Sequence, residues 1–180
     1  AAVVFSTQAA HAQSAEDFLD AGVKKGRSGD LKGAIADFNN AIDIDPQYAY
    51  AYSNRGLTKS SLKDHQGALA DYNKAIEINP QYTDAYYNRG NTKYHLRDYQ
   101  GAIADYNKAI EINPQYANAY YNRGNGKYSL REYQGAIADY SKAIEIYPQL
   151  AAAYSNRGNA KSKSKDYQGA IADYNKAIEI

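Results

Sequence analysis

Metal or acid–base chemistry in this chain would fall to three histidines, His11, His65 and His95, because its 180 residues include no cysteine. That absence removes disulfides, thiol nucleophiles and thiolate-bound zinc. His95 follows Asp84 by eleven residues on one expected helical face. Eleven residues span about 16 Å of helix, too far for the two to share a metal ion. His65 stands where equivalent segments carry Tyr99, Tyr133 and Tyr167, so it reads as a substitute for a packing aromatic. Tyr99-Gln100-Gly101 and its copies open helices rather than cradle phosphate, since no Gly-x-x-x-x-Gly-Lys motif accompanies them. The expectation is a protein that is not an enzyme and holds no metal or cofactor.

Lys and Arg number 21 against 20 Asp and Glu, a net charge of +1. This balance excludes a strongly basic nucleic-acid binder and a polyacidic tail. With 44% hydrophobic and 23% charged residues the composition is globular. Tyr occurs 20 times, Phe three times, Trp and Met never, which suggests a repeated motif with Tyr at fixed places. Residues 1–14 carry no charge and join a short apolar run to Ala10-His11-Ala12-Gln13, an A-x-A cleavage pattern. The expectation is the remnant of a secretion signal, hence export to the bacterial periplasm. Ala1 to Phe5 is too short to span a membrane.

The four prolines, Pro46, Pro80, Pro114 and Pro148, lie 34 residues apart, and self-similarity at a fixed period marks a repeat architecture. The frames are 15–48, 49–82, 83–116, 117–150 and 151–180, forming one array over 15–180. Frames three and four differ at eight of 34 places. Each frame divides into two helices. In 83–116 the first covers Ala85 to Leu96. Arg97-Asp98 turns the chain, with Asp98 as N-cap. The second runs from Tyr99 to Ile112, with Ala102, Ile103, Tyr106, Ala109 and Ile110 on a wide apolar stripe. Asn113-Pro114 ends it, because a proline disfavours helix in the residue before it. Two short helices cannot bury these stripes alone, but stacked copies can.

The pattern resembles the tetratricopeptide repeat family. With each frame numbered from 1, the match rests on an aromatic at place 4 (Tyr86, Tyr120), Gly at place 8 (Gly90, Gly124), Ala at places 20 and 27 (Ala102, Ala109), an aromatic at place 24 (Tyr106, Tyr140) and Pro at place 32. The resemblance implies an all-α fold, a right-handed α-solenoid of stacked helix–turn–helix repeats with the first helices lining a concave groove. Place 7, usually Leu in this family, is instead Arg55, Arg89, Arg123 and Arg157, and place 11, usually aromatic, is Lys. Four Arg directed at a partly buried seam need partners, since an unpaired buried charge costs several kcal/mol. Asp71, Asp105, Asp139 and Asp173 at place 23 supply them, so structural ion pairs are expected down the stack, with an anion site as the alternative.

By the same resemblance, places 2, 5, 6, 9, 12 and 13 face the groove. Its middle carries Tyr87, Asn88, Asn91, Tyr94 and His95 from one frame and Tyr121, Asn122, Asn125 and Tyr128 from the next. Asn can donate to and accept from an extended backbone, and Tyr gives stiff amphipathic contact area. The Asn could equally bond between neighbouring helices. Places 2 and 5 carry no Lys or Arg, so the Lys and Asn clamp with which some family members grip a C-terminal carboxylate is not carried over. The chain is expected to be a scaffold binding a protein or peptide segment. Two alternatives stand beside this: self-association through the last repeat, whose stripe of Ala170, Ile171, Tyr174 and Ile178 would be exposed, and groove binding of a cell-wall saccharide or peptide.

Overall fold

The computed structural model describes residues 13–180; of the signal-remnant segment 1–14, residues 1–12 lie outside the described residues. Ser14 already belongs to the array, as the N-cap of its first helix. Among the described residues there are ten helices and no strand: α1 (Ala15–Arg27), α2 (Leu31–Ile44), α3 (Ala49–Ser61), α4 (His65–Ile78), α5 (Thr83–His95), α6 (Tyr99–Ile112), α7 (Ala117–Ser129), α8 (Tyr133–Ile146), α9 (Ala151–Lys163) and α10 (Tyr167–Glu179). None is long and apolar enough to cross a membrane.

Local chemistry sets these boundaries. At the end of α5 the Arg97 N–H donates to the Tyr94 carbonyl and the Asp98 N–H to the Lys93 carbonyl, a Schellman closure. Arg97 sits there at φ 63°, and Lys63, Arg131 and Lys165 take the same left-handed conformation at equivalent places. Asp98 then caps α6, accepting from the Gly101 N–H at 2.9 Å. A Cβ on Gly101 would lie 2.1 Å from the Asp98 carboxylate, which would have to swing away from this capping position. Asn113 ends α6 and accepts from the Gln115 N–H, turning the chain across Pro114.

Within each pair the helices meet through Gly and a ring. A Cβ on Gly90 would stand 2.7 Å from the Tyr106 ring, so glycine sets the closeness of α5 and α6. Phe38, Tyr72, Tyr106 and Tyr140 are buried, with Ala34, Ala68, Ala102 and Ala136 beside them in sequence register. Each pair packs on the next, and the first helices also touch one another, α1 with α3 through to α7 with α9. No second helix touches another second helix among the described residues. The row of first helices is therefore the inner, concave side.

The four arginines at place 7 lie in the seam between pairs. Arg55 donates from Nε and Nη2 to both carboxylate oxygens of Asp71, at 2.9 and 2.7 Å. Its Nη1 reaches back to Asn39 of the preceding pair at 2.7 Å. Lys59 adds a second cation to Asp71 at 2.8 Å, and the guanidinium lies over the Tyr52 ring. Arg89 repeats this with Asp105 and Asn73, Arg123 with Asp139 and Asn107, and Arg157 with Asp173 and Ser141. In the first pair Ala21 replaces Arg, and Lys25 alone pairs with Asp37. Burial pushes the Asp173 carboxyl up, but Arg157 and Lys161 outweigh it and hold it below the usual carboxylate range.

The last helix corrects one expectation. Ala170 is buried and Tyr174 half-buried, because Gly158 lets α9 and α10 approach as in the other pairs. The exposed part of the stripe is Ile171 and Ile178.

At α8, Glu132 replaces the Asp of the other second helices and makes no side-chain cap. Glu132→Asp is expected to raise the unfolding free energy by about 0.5–1 kcal/mol, read by urea denaturation. No gain would mean that the Asp caps contribute nothing to this stack.

Candidate functional site

Two adjoining cavities open on the concave face, each about 250–260 Å³. Asn91, Tyr94, His95, Tyr106, Asn122 and Asn125 line one. Tyr94, Asn125, Tyr128, Tyr140, Asn156 and Asn159 line the other. Tyr94 and Asn125 are common to both. Neither is lined by Lys, Arg, Asp or Glu. Each is a slot between consecutive repeats, floored by a second-helix tyrosine and walled by the inner faces of first helices, with Tyr94 of α5 reaching into both.

The amides form a ladder. Tyr106 donates to Asn91 Oδ1 at 2.9 Å, and Asn122 of the next repeat donates to the same oxygen at 2.8 Å. One repeat on, Tyr140 and Asn156 both donate to Asn125 Oδ1, at 2.8 and 2.9 Å. Asn122 also donates to the Tyr87 hydroxyl and Asn156 to the Tyr121 hydroxyl. Burial pushes the Tyr106 and Tyr140 phenols up, with Tyr87 and Tyr121 respectively as the next cause. Both therefore stay protonated and donating across the neutral range.

The structure thus divides the residues singled out in the sequence. Asn91, Tyr94, His95, Asn122, Asn125 and Tyr128 converge on the cavities. Tyr87 and Tyr121 line neither, and their hydroxyls serve the ladder. Asn88 lines neither cavity. Tyr94 and Tyr128 hold edge-on contacts with Tyr99 and Tyr133, at ring separations of 5.3 and 5.4 Å, which fix their orientation as walls. Tyr106 and Tyr140, core residues by their apolar stripe, are also the cavity floors, a role that the stripe alone does not reveal. Their signal was the period itself, which sets place 24 beneath place 9. His95 is exposed and its ring lies 6.4 Å from that of His65. Among the described residues no group of three or more His, Cys, Asp or Glu could hold a metal ion.

Two rungs are missing: the first repeat has Val23 and Phe38 where the third has Asn91 and Tyr106, and the second lacks its amide. Place 9 of the second repeat is Leu57, so the buried Tyr72 hydroxyl has no amide acceptor there, and the Thr92 hydroxyl is the polar group beside it. Tyr106→Phe is expected to cost about 1 kcal/mol, because it deletes a donor to Asn91. Tyr72→Phe is expected to be neutral or stabilising, since it removes an unsatisfied hydroxyl. Equal losses on thermal denaturation would contradict the ladder.

The Tetratricopeptide repeat family model matches residues 49–82, 83–116, 117–150 and 151–180, and a second model, described as TPR repeat, matches 27–63. A sequence search of curated proteins finds no match. Among solved structures, MamA is 30% identical with a TM-score of 0.82, over 88% of this chain and 92% of that one. YrrB, described as a TPR protein with an unusual peptide-binding site, is 20% identical with a TM-score of 0.77, over 92% of this chain and 86% of that one. PilF of Pseudomonas aeruginosa is 17% identical with a TM-score of 0.85, over 92% of this chain and 75% of that one. The last two likenesses are of fold. Four consecutive family matches, seated on the helix pairs α3–α4 to α9–α10, establish that the chain belongs to the tetratricopeptide repeat family.

Proposed function

We propose that this chain is a non-enzymatic scaffold that binds an extended peptide segment along its concave groove. The observation that carries the reading is the pair of adjoining, uncharged cavities with Tyr94 as their common wall. Concave sites with a few convergent polar groups suit ligand capture, and successive slots suit alternate side chains of an extended chain. The ladder consumes the Asn91 and Asn125 oxygens internally, so a ligand meets tyrosine rings and the remaining amide hydrogens. Ligand side chains that are uncharged fit this lining best. The peptide-binding site described for YrrB, a protein of the same fold, supports the same use of the scaffold. Export belongs to the proposal and rests on the Ala10-His11-Ala12 pattern.

A second reading is favoured by the exposure of Ile171 and Ile178 on α10, which suits association between copies. Sedimentation velocity over a hundredfold range of concentration separates the two: a constant monomer leaves only the groove.

Panning a random library of peptides about twelve residues long supplies a probe for the groove. Tyr94→Ser and Tyr128→Ser install the residue that Ser60 and Ser162 provide at the same place in sister repeats. Each is expected to weaken recovered peptides about tenfold by fluorescence anisotropy, as loss of an aromatic contact does at an interface hot spot. Competition by peptide but not by oligosaccharide is expected. Peptides indifferent to both substitutions would contradict the groove reading.

A further inference from the structure

A third cavity, of about 340 Å³, lies between α1, α2 and α3. It is the same slot as the one between the third and fourth repeats, displaced by two repeat lengths. Asn91, Tyr94, Tyr106 and Asn125 of that slot become Val23, Gly26, Phe38 and Leu57, and His95 becomes Arg27. Every hydrogen-bonding group of the ladder is thereby lost except Asn54, the counterpart of Asn122. With no rung to meet, Asn54 donates to the Tyr50 carbonyl of its own helix at 2.8 Å. Gly26, standing where Tyr94 forms a wall, leaves the slot open.

Two details indicate that this change serves binding rather than packing. Leu57 remains exposed, and its presence at place 9 denies Tyr72 the acceptor that Asn91, Asn125 and Asn159 give to Tyr106, Tyr140 and Tyr174. A residue that leaves a buried donor unsatisfied and its own side chain in water breaks a local stability rule, as functional positions do. Arg27, exposed at the rim, makes no hydrogen bond or ion pair with any described residue; Arg97 and Arg131 are equally unpaired, but of the three it is Arg27 that lines the cavity.

We infer that this slot is a specificity subsite that takes an apolar side chain, the size of Leu, Ile or Phe, from the bound segment, with an adjacent acidic side chain of the same segment set against Arg27. The inference rests on the groove reading and adds to it. The groove then reads its ligand in two chemistries: an apolar anchor with a carboxylate at the α1–α3 end, and uncharged side chains over the ladder.

The test uses the peptides recovered by panning on the whole chain. They are expected to share an apolar residue next to Asp or Glu. Val23→Asn with Leu57→Asn restores the sister residues and is expected to weaken these peptides at least tenfold. The same variant is expected to be no less stable in urea, because the amide introduced by Leu57→Asn offers Tyr72 an acceptor. Arg27→Ser, the residue at Ser61 and Ser129, is expected to weaken binding several-fold and to flatten its salt dependence. Peptides weakened by Tyr94→Ser but unaffected by Val23→Asn with Leu57→Asn overturn this inference and leave the groove reading in place. Peptides without an acidic residue, or indifferent to Arg27→Ser, overturn the assignment of Arg27. Peptides indifferent to every substitution overturn both readings.

Discussion

The stack depends on a guanidinium with three fixed partners. Arg55, Arg89 and Arg123 each place two donors on an Asp of their own repeat and one on an Asn of the repeat before. The planar fork of Arg suits this, and a Lys at the same place could not span both acceptors. The side chains are only 17–18% exposed, so each charge has left most of its water and needs every partner it has. A second cation on the same Asp, from Lys59, Lys93 or Lys127, completes the compensation. The family's usual Leu at place 7 would pack in this seam without direction; the fork also fixes the angle and register at which one repeat meets the next.

That register is what makes the groove. The fork holds α5 against α4 and α7 against α6 while their opposite faces turn inward. Asn122 consequently arrives within 2.8 Å of Asn91, and Asn156 within 2.9 Å of Asn125. The amide ladder on the concave side and the ion-pair ladder in the seam are two readings of one repeat spacing. Where the ladder is unbroken the slots are polar and already wired. Where Val23, Gly26 and Leu57 interrupt it, the slot is apolar and open, so variation at a few inner places changes what the groove presents while the link from Arg55 to Asn39 still joins the two repeats.

Much of the fold is legible in the residues. The 34-residue period, the Asp98 cap and the Asn113-Pro114 stop follow from composition and local sterics, which act within a few residues. The sixteen-residue interval between Arg55 and Asp71 is equally visible. Asn39, Asn73 and Asn107 were not legible as partners, because place 25 sits on the exposed face of a second helix and reads as solvated until the next repeat is docked on it. Tyr106 and Tyr140 belong both to the core and to the cavity floors, a double role that one-dimensional periodicity cannot express. Tyr87 and Tyr121 read as groove aromatics, yet their hydroxyls accept from the following repeat. Ala170 reads as exposed when α10 is taken as an open outer face, and its pairing with α9 is what buries it. In each case the missing information is which neighbour a face meets, and that is set by stacking.

A double-mutant cycle between Arg89 and Asn73 measures the coupling on which this account stands. Asn73→Ala, Arg89→Ala and their combination, compared by urea denaturation, are expected to give an interaction energy of about 1.5–3 kcal/mol, the range for a hydrogen bond to a charged group. A value indistinguishable from zero would mean that neighbouring repeats are joined by apolar contact alone and that the fork does not set their register.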